Sequence, residues 1–357
     1  MESVAIASAI AIYRNSLYRA LMAGGSFFQS TVFKILIFLF GTVVIAAVSA
    51  PLLYLGGKYI AAQGWLAGGW LDGLNASLER AYFPRYFNRA ILLGSLLMIW
   101  PTLRWLNAGK PRQRGTRPSL QSIREQLLLT ANPAWWRHLL TGFLLAGGTL
   151  LLLGWLYVGQ GWYKALDAGE PLPEILLGAL GTGIAVGLLE EFVFRGTLHV
   201  ILSKLLKPRA LFWAIAVFFA AIHFFNAPRA AYLKPVTAGS GFQIIGETVA
   251  HFISQFANPY FLFAEFAVLL SIGLVLGYTR MKTRSLWLGI GLHAGWVFGV
   301  KTLSPLTQRA FASGEMMPWL GDNLRVGAVS CLVVSFTGLA IWLWLRKKYE
   351  SPFTLRE

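Results

Sequence analysis

About eight stretches of this sequence are long and apolar enough to form helices that cross a lipid bilayer. A membrane span needs about 20 mostly apolar residues to cross roughly 30 Å of hydrocarbon. Only 13% of the residues are charged, whereas soluble domains carry roughly 25%. The predicted spans are Val32–Leu53, Ala90–Leu106, Leu139–Val158, Ile175–Arg195, Leu211–Asn226, Pro259–Tyr278, Leu286–Leu303 and Val326–Leu345. The sequence therefore predicts an all-α integral membrane protein of about eight transmembrane helices, and it excludes a soluble single-domain enzyme.

The positions of the basic residues predict how these spans are oriented. The chain has 31 Lys and Arg residues against 15 Asp and Glu, and its net charge is +16. Many basic residues lie in short connections, and the longest such connection, residues 104–137, contains Glu125 as its acidic residue. Because basic connections stay in the cytoplasm, both termini are predicted to be cytoplasmic, in the plasma membrane if the protein is bacterial. The lipid bilayer is an expected partner, and nucleic acid is not.

The chain is predicted to have three parts. Residues 1–170 comprise an N-terminal segment and three spans, residues 171–305 hold the polar groups described below, and residues 306–357 contain an outer loop, the last span and a basic tail. Apolar residues recur at helical spacing from Ile6 to Leu21, which indicates a helix lying in the membrane interface. The segment Ala227–Asn258 is predicted to be a long loop.

The fourth span carries an unusual cluster of charges, Glu190, Glu191 and Arg195. Translocon scales assign about 2.5–3.5 kcal/mol to each Asp, Lys or Arg at a helix centre, so such a cluster indicates a function. Glu191 and Arg195 are four residues apart in the favourable order for an ion pair, and Glu190 points about 100° away from them. Gly183 and Gly187 form a small-xxx-small pair that allows a neighbouring helix to approach closely.

Two histidines lie in later spans. His223 is near the end of the fifth span and His293 is in the seventh. At about 1.5 Å per residue, Glu190 and His223 are roughly 27 and 22 Å from the basic turn that separates their helices, so they share a level. His293 reaches the same level if the helix after Arg195 extends into the cytoplasm before it turns.

These residues resemble the three motifs of a known family. Glu190-Glu191-x-x-x-Arg195, Phe219-x-x-x-His223 and the later His293 look like the motifs of the CAAX protease and bacteriocin-processing family. That family comprises intramembrane glutamic endopeptidases, including the eukaryotic enzyme that trims prenylated CAAX proteins. The resemblance covers about Leu176–Val300.

The resemblance implies a role for each motif residue. Glu190 and His223 activate the attacking water, Glu191 and Arg195 hold the site in shape, and His293 helps to stabilise the oxyanion. The family usually has Asn or Asp four residues after this histidine, where this sequence has Val297. The second oxyanion donor would then be Trp296, Asn226 or a backbone group, or activity is weakened.

The expected function is hydrolysis of a peptide bond in a membrane-anchored or lipid-modified protein or peptide, without a cofactor. Such chemistry needs a base for the water, an acid for the leaving amine and donors for the oxyanion. Three alternatives use the same residues: a zinc-dependent membrane protease, a proton-coupled transporter, and a non-catalytic scaffold or immunity protein. The usual zinc-protease motif, His-Glu-x-x-His, is not present.

Overall fold

The computed structural model describes residues 30–107, 128, 132–167, 169, 171–228 and 235–348. Almost all secondary structure in these residues is helical, and the predicted all-α fold is confirmed. The predicted interfacial helix between Ile6 and Leu21 lies outside the described residues.

The described chain forms two compact units. The first comprises residues 30–107 with residues 235–245. Its helices are α1 (Thr31–Ala62), α2 (Asp72–Arg80) and α3 (Phe83–Asn107). The Oγ of Ser30 caps α1 by accepting a hydrogen bond from the Phe33 N–H at 3.1 Å. Gly57 lets α3 approach α1, since a Cβ there would lie 2.5 Å from the hydroxyl oxygen of Tyr86.

The second unit contains the remaining described residues and all of the predicted polar residues. It is built mainly from long helices. A π-helical segment follows one of these helices directly, and another directly precedes a second helix. The elements are α4 (Trp135–Gly159), β1 (Tyr163–Ala165), α5 (Leu172–Glu191), a π-helical segment (Phe192–Leu198), α6 (His199–Leu202), α7 (Pro208–Ile222), α8 (Ser240–Gln255), α9 (Pro259–Phe261), a second π-helical segment (Leu262–Phe266), α10 (Ala267–Thr283), α11 (Trp287–Leu306), β2 (Thr307–Arg309) and α12 (Ala328–Lys348). Helix α8 belongs to the first unit up to Ile245 and to the second from Gly246.

Each predicted span coincides with a helix, but the count of eight membrane-crossing helices is not confirmed. Within the described residues, 5 helical stretches are both long and apolar enough to cross a membrane. They are Thr31–Ala62, Trp135–Gly159, Leu172–Leu202, Ala264–Thr283 and Ala328–Lys347. Helix α7 is shorter, and α3 and α11 are less apolar because they carry charged, histidine or glycine residues. The chain is an integral membrane protein with at least these apolar helices.

The prediction of a long loop over Ala227–Asn258 was wrong, because this segment contains α8. The buried face of α8 includes Ser240, Ile244 and Thr248, so small polar residues obscure its helical pattern in the sequence. The Oγ of Ser240 accepts the backbone N–H of Thr237 at 2.9 Å, which is half of a capping box.

Helix α11 packs between α4 and α5 at very short range. A Cβ on Gly291 would lie 2.2 Å from the carbonyl oxygen of Leu139 in α4. A Cβ on Gly183 of α5 would lie 2.6 Å from the carbonyl oxygen of Ala294. The close approach predicted from Gly183 and Gly187 is confirmed, and it places α11 directly beside the charged end of α5.

A small antiparallel ribbon, absent from the predicted fold, joins the ends of α4 and α11. Strand β1 pairs with β2, with Tyr163 opposite Arg309. The hydroxyl of Tyr163 donates to the carbonyl oxygen of Gly321 at 3.1 Å. Burial raises the pKa of Tyr163 to about 12. Since β1 and β2 closely follow α4 and α11, the ribbon holds these two helices together at one end.

Candidate active site

The last turn of α5 and the π-helical segment after it hold the predicted ion pair. Arg195 Nη1 donates to Glu191 Oε1 at 3.0 Å, and both side chains are only 1% exposed. Arg195 Nη2 donates to the carbonyl oxygen of Gly273 in α10 at 3.2 Å. The guanidinium also lies 4.2 Å from the ring centroid of Phe219 in α7. Arg195 therefore connects α5 to both α7 and α10.

His293 of α11 contacts both glutamates. Its Nδ1 lies 3.2 Å from Glu191 Oε1, and its Nε2 lies 3.8 Å from Glu190 Oε2. Because an ionised carboxylate only accepts hydrogen bonds, the Nδ1–H of His293 donates a hydrogen bond to Glu191. This bond orients the imidazole, so that Nε2 is directed towards Glu190. The sequence did not predict contact between His293 and Glu191.

His223 approaches Glu190 from the end of α7. Its Nδ1 donates to the carbonyl oxygen of Phe219 at 2.7 Å, since a carbonyl oxygen can only accept. Its Nε2 lies 3.5 Å from Glu190 Oε2. Glu190 is 25% exposed and His223 is 29% exposed, in contrast to the fully buried Glu191. The accessible carboxylate is thus the one that contacts both imidazoles.

These groups open into a cavity of about 260 Å³. Glu190, His223, His293 and Trp296 all line it. Trp296 is 4% exposed, and its indole N–H makes no hydrogen bond with any described residue. Val297 also lines the cavity, so the position where the family usually carries a polar residue presents an apolar side chain to the site.

Asn226 lies apart from the groups that line this cavity. Its exposed side chain donates from Nδ2 to the carbonyl oxygen of His223 at 2.6 Å. This contact stabilises the turn that follows α7. Helix α7 ends at Ile222, and further along the chain Pro228 disfavours a helical conformation at Ala227.

Four polar residues that line this cavity were not predicted from the sequence: Thr182, Lys301, Arg325 and Ser330. Thr182 is two turns before Glu190 on the same helix, and its spacing could have identified it. Lys301 and Arg325 are exposed. Nothing in the sequence distinguishes them from other basic residues near span ends. Lys301 reaches the cavity from α11, and Arg325 reaches it from the connection before α12.

Comparison with known protein families gives one result for this part of the chain. Residues 172–299 match the family model described as Type II CAAX prenyl endopeptidase Rce1-like. The chain is similar to that family over these residues. The match extends from the start of α5 into α11 and includes every predicted catalytic residue. The predicted resemblance to the CAAX protease family is confirmed, and the chain carries the segment of a protease family. No curated protein and no solved structure shows a significant match to the chain.

The described residues contain no group of three or more His, Cys, Asp or Glu side chains that could hold a metal ion. The roles of Glu190, Glu191, Arg195, His223 and His293, and hydrolysis without a cofactor, stay predictions.

Proposed function

We propose that this protein is an intramembrane endopeptidase that uses Glu190 and His223 to activate water. The observation that carries the proposal is the convergence of three atoms in one cavity. Glu190 Oε2 lies 3.5 Å from His223 Nε2 and 3.8 Å from His293 Nε2. A family of endopeptidases, matched over residues 172–299, supports the reaction type.

The hydrogen bonds around the histidines suggest how protons move. His223 Nδ1 is committed to the carbonyl oxygen of Phe219, so Nε2 is the atom that exchanges a proton with Glu190 or with water. Glu190 takes a proton from the water, the resulting hydroxide attacks the peptide carbonyl, and the leaving amine receives a proton from the pair formed by Glu190 and His223.

The charge of the cluster fits this cycle. Glu190 and Glu191 carry two negative charges and Arg195 carries one positive charge, so a single proton on His223 or His293 makes the cluster neutral. A neutral cluster is favoured in a low-dielectric interior. The proton that Glu190 takes from water is returned to the leaving amine, so the additional proton can make His293 Nε2 an oxyanion donor.

The oxyanion would be stabilised by His293 and Trp296. The buried indole N–H of Trp296 makes no hydrogen bond with the described residues and is next to Val297 in the same cavity. An indole N–H is an obligatory donor, and a developing oxyanion would satisfy it. Asn226 is less suited to this role because its amide already binds the backbone of His223.

The substrate is proposed to be a membrane-anchored or lipid-modified protein or peptide. The cavity has an apolar wall that includes Val186, Leu269 and Ile272, as expected for a substrate that arrives from the lipid. The family name adds prenylated CAAX proteins as the first class to test. The proposed topology places both termini in the cytoplasm, with the basic connections, and in the plasma membrane if the protein is bacterial.

The decisive experiment compares Glu190→Gln with the wild type in cells, by mass spectrometry of the termini of membrane proteins. Glu174→Gln is the matched control, because Glu174 is an exposed carboxylate in the first turn of the same helix. We expect specific new termini in the wild type and in Glu174→Gln, and their loss in Glu190→Gln. Unchanged termini in a folded Glu190→Gln protein would contradict the proposal.

The same preparations test the alternatives. Loss of cleavage with a chelator and its recovery with zinc would assign a metalloprotease. Proton-coupled flux in liposomes without a cleavage product would assign a transporter. A folded wild-type protein with neither activity would assign a scaffold or immunity protein, which Val297 favours.

A further inference from the structure

A second and larger cavity lies beside Arg195, in the part of the unit nearest the basic connections. Its volume is about 440 Å³, within the range of small-ligand pockets. Arg195 lines this cavity together with Arg280 and Arg284 of α10 and its C-terminal end. None of the carboxylates at the candidate active site lines it.

The three arginines give this cavity an excess of positive charge. Arg195 is paired with Glu191, whereas neither Arg280 nor Arg284 forms an ion pair with a described carboxylate. Arg280 Nε donates to the carbonyl oxygen of Arg195 at 2.5 Å, and Arg280 Nη1 donates to His199 Nε2 at 2.9 Å. A guanidinium has no acceptor atom, so His199 accepts through Nε2 and is therefore neutral.

A buried and unsatisfied donor is also present at this cavity. Arg195 is 1% exposed, and its Nε makes no hydrogen bond with any described residue. A buried donor without a partner costs roughly 1–3 kcal/mol, and more when it is charged. Arg195 lines the cavity as a residue, so its positive charge adds to that of Arg280 and Arg284.

The remaining wall of the cavity is apolar, which favours an amphipathic anion over a small hydrated one. Leu211, Phe212 and Ile215 of α7 line the cavity, together with Gly277 of α10. A small hydrated anion gains nothing from such a wall, whereas an amphipathic anion buries its hydrocarbon there. Basic pockets between transmembrane helices on the cytoplasmic side bind anionic lipid headgroups. The cavity adjoins the connection with Lys204 and Lys207, which is predicted to be cytoplasmic.

We propose that this cavity binds an anionic phospholipid, with its phosphate on Arg280 and Arg284 and the upper part of its acyl chains along α7. Arg195 lines the same cavity and adds its positive charge to the site. The site is distinct from the cavity that contains Glu190, and the two are connected through the Arg195–Glu191 pair.

The test is a binding titration of the purified full-length protein in a neutral detergent, with phosphatidylglycerol and phosphatidylcholine as probes, followed by native mass spectrometry. The main variant is Arg284→Asn. Arg284 is exposed and has a φ of 47°, a left-handed conformation that Asn tolerates better than most residues. Arg209→Ala is the matched control, because Arg209 is an exposed basic residue at the start of α7 that does not line the cavity. Arg280→Met is a second variant.

We expect phosphatidylglycerol to bind at least about tenfold more tightly than phosphatidylcholine. The headgroup of phosphatidylcholine carries a cation that neutralises its phosphate and is repelled by the arginines, whereas the headgroup of phosphatidylglycerol carries only the negative charge. Arg284→Asn should weaken that binding about fivefold, and Arg209→Ala should change it less than about twofold. Three results would overturn the proposal: equal binding of the two lipids, an equal effect of Arg209→Ala, and displacement of the lipid by inorganic phosphate at the same concentration. The last result would identify free phosphate as the ligand.

Discussion

Replacement of Arg195 by Met tests whether the buried ion pair holds the site together. Arg195 and Glu191 are each 1% exposed and are joined by a contact of 3.0 Å. Removal of the guanidinium leaves Glu191 as a buried carboxylate whose remaining partner is His293 at 3.2 Å. Loss of one partner from a buried pair costs about 3–5 kcal/mol, so the free energy of unfolding should fall by about that amount.

The double variant Arg195→Met with Glu191→Leu distinguishes the cost of an unpaired buried charge from the cost of altered packing. It removes both charges, and the main remaining cost is the unsatisfied Nδ1 of His293, about 1–3 kcal/mol. The double variant should therefore be more stable than Arg195→Met alone by roughly 2 kcal/mol. The assay is reversible unfolding in mixed micelles, with the denaturing detergent as the variable.

The matched control is the exposed pair of Arg309 and Asp322, whose side chains are 31% and 51% exposed. Arg309→Met should cost less than about 1 kcal/mol, because exposed pairs contribute little. The reasoning would be refuted if Arg195→Met cost no more than Arg309→Met, or if the double variant were as unstable as the sum of the single variants.

Three further predictions concern separate features of the second unit. Trp296→Phe should keep the fold and lower the rate of cleavage by about 100-fold or more if the indole N–H stabilises the oxyanion, and a rate close to wild type would exclude that role. Gly291→Val should destabilise the protein by at least about 1–3 kcal/mol in the same unfolding assay, since even a Cβ would lie 2.2 Å from the carbonyl oxygen of Leu139; wild-type stability would contradict the close packing of α4 and α11. The contribution of Tyr163 to the free energy of unfolding should be constant below pH 10. It should decrease as the pH rises from the pKa of the unfolded state, near 10, to the pKa of the folded state, about 12. The reason is that the folded state retains the phenolic proton to higher pH than the unfolded state does. Tyr163→Phe should remove that part of the decrease, and an unchanged pH profile would contradict the assignment.

Helical spacing alone was sufficient to predict the central contacts of the site. Glu191 and Arg195 are four residues apart, and their ion pair follows from the geometry of one helix. Glu190 and His223 are in different helices, yet their similar distances from one turn placed them at about the same level, and their side chains are 3.5 Å apart. These features depend on the rise of the helix and on the position of a turn, both of which can be read from sequence.

Features that depend on three-dimensional packing could not be predicted. The contact of His293 with Glu191 requires the rotation of α11 about its own axis, which is set by Gly291 and Gly183 against two different neighbours. Helix α8 was missed because its buried face contains Ser240 and Thr248, so burial there does not follow hydrophobicity.

Arg195 explains why the two cavities cannot be treated as independent. One of its terminal nitrogens binds Glu191, the other binds the backbone of α10, and the residue also lines the second cavity. A substitution at Arg195 therefore changes the carboxylate beside His293 and the proposed lipid site at the same time. Arg284→Asn affects the lipid site and leaves the pair in place, whereas Glu191→Leu removes both the pair and the partner of His293 Nδ1. A change in activity found with Arg195→Met can be compared with the effects of these two variants. If the effect of bound lipid is transmitted to the active site through the Arg195 guanidinium, removal of lipid should alter the rate of cleavage in the wild type. Removal of lipid should not alter the rate that remains in the double variant Arg195→Met with Glu191→Leu, because that variant lacks the ion pair between the two sites.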